Sequence, residues 1–201
     1  LREILDYREC YDLTQLMEVI LQVAYALVYA QEHGVAHRDI KPENILAGQF
    51  GEVLLLDWGL AKVWNPDGSV TTEVNSDNEG TAEVIDLSVT GRGKAQGTAH
   101  YMSPEQVNQD PNIDHRTDLF SLGAVLYEVL CGKPPAAGEK LHEVIESVLN
   151  ATPVRPSDVT NQAVPKILEN TAMRCLQKNA YDRYDSMAEI VRLIQQDWCS
   201  S

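Results

Sequence analysis

The stretch from Asp12 to Gln31 constrains the fold more than any other. Leu13, Leu16, Met17, Val19, Ile20, Leu21, Val23, Ala24, Ala26, Leu27 and Val28 put apolar side chains on nearly every face of one helix. A helix that is apolar all round belongs inside a core. Asp12 can cap its start with Gln15 completing a capping box, and Gly34 is a stop signal. The rest of the chain must wrap this helix, and 201 residues suffice for one domain or a little more. No apolar run comes near the ~20 residues of a membrane span, and the N-terminus does not read as a signal peptide. The chain opens on Leu rather than Met, so it reads as a piece of a longer protein.

Ile45–Ala47 and Val53–Leu56 are short apolar runs set apart by Gly48 and Gly51, and they read as a small hairpin. Residues 63–96 carry almost no periodicity, and Asn65-Pro66-Asp67-Gly68 is a turn signal. A structureless stretch of that length is usually functional or disordered. Helices return at Thr117–Cys131, stopped by Gly132 and Pro134. Others follow over Leu141–Leu149, from Ile167 to Cys175, and from a capping box at Ser186–Glu189. The expected fold is mostly α with a small β-hairpin element.

Sixteen Lys and Arg against thirty Asp and Glu give a net charge of −14. A surface so acidic argues against nucleic acid and anionic membranes as partners. The cysteines at 10, 131, 175 and 199 form no CxxC pair. Neither a zinc site nor a disulfide framework is expected, and a reducing, cytoplasmic compartment is.

The chemistry is concentrated in His37-Arg38-Asp39-Ile40-Lys41-Pro42-Glu43-Asn44 and, thirteen residues on, Asp57-Trp58-Gly59 after an apolar strand. Each residue alone would pass as part of a surface loop. Together they fit H-R-D-x-x-x-x-N followed by D-F-G, with Trp in place of Phe. Small-molecule phosphotransferases share the Asp and Asn at this spacing, but three further segments go beyond them. These are Gly97-Thr98-Ala99-His100-Tyr101-Met102-Ser103-Pro104-Glu105, Asp118-Leu-Phe-Ser121-Leu-Gly123, and Arg183 just before the last helix. The whole resembles a eukaryotic-like (Hanks-type) serine/threonine protein kinase of bacterial type.

The resemblance implies an ATP- and Mg²⁺-dependent kinase acting on Ser/Thr hydroxyls of protein substrates. Asp39 would orient the hydroxyl or take its proton, and Lys41 would hold the γ-phosphate. Asn44 and Asp57 would bind Mg²⁺, and Thr98 would bond to Asp39 and Lys41. Leu46 would touch the adenine. His37 and Trp58 would stack, Gly59 would let the backbone turn, and Tyr101 would line the peptide pocket. Glu105 would pair with Arg183, and Asp118 would accept bonds from the catalytic-loop backbone. Arg38 would receive a regulatory phosphate, with Thr90 the leading site among the hydroxyls of the insert.

No G-x-G-x-x-G and no V-A-I-K lysine is found. The expectation is therefore an α+β kinase fold lacking its N-lobe: residues 1–198 as C-terminal lobe only, with catalytic loop 37–44, activation segment 57–105 and a long insert at about 63–96. The missing N-lobe would be a partner, no membrane contact is expected from this segment, and the fragment alone would be inactive. The alternative is a non-catalytic truncated kinase or a pseudokinase-like binding module.

Overall fold

The computed structural model describes residues 1–7, 10–63 and 97–197. In chain order the elements are α1 (Arg2–Asp6), α2 (Leu13–Glu32), β1 (Val35–Ala36), β2 (Ile45–Ala47), β3 (Val53–Leu55) and β4 (Lys62–Val63). After the segment outside the description come α3 (Pro104–Val107), α4 (Arg116–Cys131), α5 (Leu141–Asn150), α6 (Pro156–Val159), α7 (Lys166–Cys175) and α8 (Met187–Asp197). Short 3₁₀ turns sit at Pro42–Asn44, Trp58–Leu60 and Ala180–Asp182.

Helix α2 starts where its capping box says it should. Gln15 N donates to Asp12 Oδ1 at 2.8 Å and Asp12 N donates to Gln15 Oε1 at 3.1 Å. The helix ends before Gly34, whose φ of 68° suits a residue without a Cβ. Leu16, Met17, Ile20, Val23, Ala24, Leu27 and Ala30 are buried against α4, α8 and the strands β1 and β3. By length and composition α2 could cross a membrane, which corrects the expectation that no run comes near a span. Its packing puts one face in the core, while Tyr25 and Tyr29 on the other are exposed, so the helix is not enclosed all round as its composition led us to expect.

Helix α4 is the second pillar. Every residue from Thr117 to Leu130 is buried, and Gly132 at φ 78° closes the helix. It packs most extensively on α7. Gly123 permits that approach, since a Cβ there would lie 2.3 Å from the Cys175 Cβ. Burial pushes the Cys175 thiol up to about 12, so it is an uncharged packing group.

Two two-stranded antiparallel sheets are described, not the single hairpin expected. The hairpin itself is β2–β3, with Ile45 opposite Leu55 and Ala47 opposite Val53. The second sheet pairs β1 with β4, Val35 opposite Val63 and Ala36 opposite Lys62. Strands of two residues are too short for alternation to reveal them. Between β1 and β2 runs the polar segment of interest.

Replacing Gly123 by Ala should overpack the α4–α7 contact and cost about 1–3 kcal/mol. Urea denaturation would read this as a lower midpoint with an unchanged slope. An unchanged midpoint would mean that the two helices have room to part.

Candidate active site

The segment from His37 to Asn44 takes its shape from a carboxylate on another element. Arg38 has φ 70°, a left-handed conformation unusual for a residue with a side chain. Asp118, in the first turn of α4, holds it there. The His37 amide donates to Asp118 Oδ2 at 2.8 Å and the Arg38 amide to Oδ1 at 2.8 Å. Gln106 of α3 completes the clamp by donating from Nε2 to the Arg38 carbonyl at 2.6 Å. Burial raises the Asp118 carboxyl to about 6, against the pull of the two amides and of the Arg38 charge. The Arg38 guanidinium is lowered by burial, with Asp118 opposing.

Past Arg38 the chain turns three side chains toward one another. Lys41 Nζ donates to Asp39 Oδ1 and Oδ2 at 2.9 and 2.7 Å and to Thr98 Oγ1 at 3.2 Å. Asn44 Nδ2 donates to the Asp39 carbonyl and to Oδ2, both at 2.8 Å. Lys41 and Asn44 thus meet at the Asp39 carboxylate, and Thr98, 57 residues beyond Lys41, joins them through Lys41 and not by the direct bond to Asp39 that was expected. Both Asn44 bonds leave from nitrogen, so its Oδ1 is spared as a hard-oxygen donor.

His37 is fully buried and burial lowers its pKa, which keeps the ring neutral. Its Nε2 donates to the Leu56 carbonyl at 3.0 Å and its Nδ1 accepts from the Asp39 amide at 3.2 Å, which assigns the tautomer. The Trp58 ring meets it edge-on, 4.4 Å between centroids, and Trp58 Nε1 donates to the Leu55 carbonyl at 3.0 Å. Asp57 has φ 60° and its carboxylate caps the following 3₁₀ turn through Gly59 N at 3.4 Å. Leu46 is about half exposed on β2, opposite the equally exposed Leu54.

On the far side, Arg183 grips Glu105. Nη1 and Nη2 donate to Oε1 and Oε2 at 2.6 and 2.8 Å. The remaining donors go to the carbonyls of Gln177 at 2.9 Å, Arg116 at 2.8 Å and Lys178 at 3.2 Å. All five guanidinium N–H groups are used, and the side chain is fully buried.

Sequence reasoning missed Arg2, Gln106 and Glu128. Glu128 carried a signal: an acid inside the run Ala124–Leu130 needs a partner once the helix is buried. Arg2 and Gln106 sit among ordinary surface-like residues and had none. Thr90 and residues 64–96, the body of the expected insert, lie outside the described residues.

The Asp118 environment predicts a pH effect. The carboxyl binds its proton more tightly folded than unfolded. Its stabilising contribution is complete below its ordinary value of 3.8 and lost as pH rises through about 6. The loss should be about 3 kcal/mol at most, from 1.36 kcal/mol per pKa unit. Urea unfolding of wild type and Asp118→Asn at pH 4 and 7.5 checks this. Wild type should lose stability relative to the variant over that range, and a constant gap would refute the assignment.

A family model described as protein kinase domain matches residues 1–199. The chain is 37% identical over 182 residues to the serine/threonine-protein kinase PknD of Protochlamydia amoebophila, covering 90% of this chain and 18% of that protein. It is 34% identical over 174 residues to PknB of Mycolicibacterium smegmatis, covering 87% and 25%. To PknB of Mycobacterium leprae it is 34% identical over 176 residues, covering 88% and 25%. The chain thus spans a quarter or less of the length of these relatives.

The expectation of a C-terminal lobe alone, with one small hairpin, is corrected here. The protein kinase domain as such is matched from residue 1 to 199, and the described residues hold helices together with two small sheets. The one-lobe reading rested on motifs not found in the sequence, and a missing motif is weaker ground than a match along the chain. The chain belongs to the protein kinase family, among the bacterial Hanks-type serine/threonine kinases.

Proposed function

We propose that the chain transfers the γ-phosphoryl group of MgATP to Ser or Thr hydroxyls of protein substrates. The observation that carries this reading is the convergence of Lys41, Asn44 and, through Lys41, Thr98 on the Asp39 carboxylate. Catalysis of phosphoryl transfer is mostly positioning and charge neutralisation. Asp39 is held from two directions, which fixes the line along which a substrate hydroxyl donates its hydrogen bond to it. The Lys41 ammonium sits on this carboxylate at 2.7 Å, and Asp39 so held orients the substrate hydroxyl. Lys41 bridges Asp39 and Thr98, and its ammonium on a flexible stem is suited to neutralise charge on a phosphoryl oxygen.

Mg²⁺ fits the residues present. Asn44 Oδ1 and the exposed Asp57 carboxylate are hard oxygens, the donors this ion takes when phosphates and waters complete its shell. Bound there, the ion would neutralise charge on the phosphates. Asn44 and Asp57 would hold it, with Asp57 supplying the full charge. Arg38, half-buried beside Asp39, is the side chain we assign to receive a phosphate placed on the activation segment. A non-catalytic binding module remains the second reading, but Asp39, Lys41, Asn44 and Asp57 are all present.

Asp39→Asn should lower single-turnover transfer to a protein substrate by at least ~100-fold while leaving thermal melting near wild type. Near-normal transfer in a folded variant would overturn the reading. Asp57→Ala should lose MgATP binding more than Asn44→Ala, measured by titration calorimetry. Equal affinity for wild type and Asp57→Ala would remove Asp57 from the metal site.

A further inference from the structure

Glu128 lies in the middle of α4 with its side chain 4% exposed. A buried carboxylate has to be paired, and its partners come from two distant segments. Arg2 Nη1 donates to Glu128 Oε1 at 2.7 Å. The Tyr101 hydroxyl donates to Glu128 Oε2 at 2.5 Å and accepts from Arg2 Nη2 at 2.5 Å. The Arg2 Nε, at the other edge of the same plane, donates to Glu43 Oε1 at 2.8 Å.

One guanidinium therefore touches three groups with different duties. Glu43 is the residue before Asn44 in the catalytic segment. Tyr101 is three residues after Thr98 and is itself buried. Its backbone is pinned too, since its carbonyl accepts from Ser121 Oγ at 2.8 Å. Glu128 belongs to the rigid helix that also carries Asp118. Burial, then the Glu128 carboxylate, raises the Tyr101 phenol, so the hydroxyl keeps the proton it donates.

We propose that Arg2 is a positioning residue for the protein substrate: its guanidinium fastens the end of the activation segment, through Tyr101, to both the catalytic segment and the central helix. This rests on the kinase reading above. The Arg2 hydrogen bonds go to Glu43, Tyr101 and Glu128 and none to Asp39, Lys41, Asn44 or Asp57, so it acts on the acceptor side of the reaction and not on the nucleotide. Its planar fork matters beyond its charge. Nε, Nη1 and Nη2 point along fixed directions to three acceptors, which a lysine ammonium on a flexible stem cannot satisfy together.

The test compares Arg2→Met, Arg2→Lys and the double variant Arg2→Met/Glu128→Gln in the 201-residue chain, with myelin basic protein as acceptor. Both single variants should raise KM for the acceptor about tenfold with KM for MgATP within twofold. Amide exchange at Tyr101 and Met102 should quicken by about tenfold. Arg2→Met leaves the Glu128 charge buried without its counterion, so its melting temperature should fall. The double variant removes that charge and should recover the melting temperature, but neither the acceptor KM nor the slow exchange. Recovery of all three together would show a merely structural ion pair and overturn the proposal. So would unchanged exchange at 101–102 in Arg2→Met, or full rescue by Arg2→Lys. If the wild-type chain transfers no phosphate, the kinase reading of this chain fails. The exchange measurements then still decide whether Arg2 fastens the segment.

Discussion

The Asp118 carboxylate is the interaction on which the rest of the site depends. A left-handed residue with a side chain costs about 1–2 kcal/mol, and Arg38 is in that conformation. Two amide bonds to a charged acceptor, each worth about 1.5–3 kcal/mol, offset this cost. The result is a reversal of direction within one residue: His37 faces the interior while Asp39 faces Lys41 and Asn44. Desolvation of Asp118 opposes the arrangement, as its raised pKa records. Helix α4 can bear that because it is buried along nearly its whole length.

The two ends of the expected activation segment, 57–105, are secured by different chemistry. At its start, Asp57 caps its own 3₁₀ turn, a local bond that leaves the carboxylate exposed. At its end, the chain is tied down by side chains from elsewhere: Ser103 caps α3 and also meets Thr117 Oγ1 at 2.7 Å, and Glu105 is locked by Arg183. Just past the Asp57 turn, β4 pairs with β1 and Lys62 Nζ donates to the Pro111 carbonyl at 2.8 Å.

Much of this was legible in the sequence where local rules apply. The α2 capping box, the Gly34 and Gly132 stops, and the hairpin around Gly48 and Gly51 depend on neighbours within a few residues, and these can be read directly. The motif residues were legible as a pattern, because Asp39, Lys41 and Asn44 share one turn of chain. The β1–β4 pairing was not, since two residues carry no period. Arg2 was not either: its partners are 41, 99 and 126 positions away, and an arginine at the start of a short helix looks like any surface arginine. The one-lobe expectation erred by treating unfound motifs as a boundary.

The Arg183 socket has a consequence for how this chain can vary in length. Its carbonyls come from Gln177 and Lys178, a few residues back along the same loop, and from Arg116, the first residue of α4. The Ala180–Asp182 turn makes up the distance between them. One residue added or removed between 178 and 183 would rotate the guanidinium out of register with every acceptor at once. Ordinary surface loops absorb insertions at small cost, but this one is a ruler. Drift in the length of the chain must accumulate elsewhere.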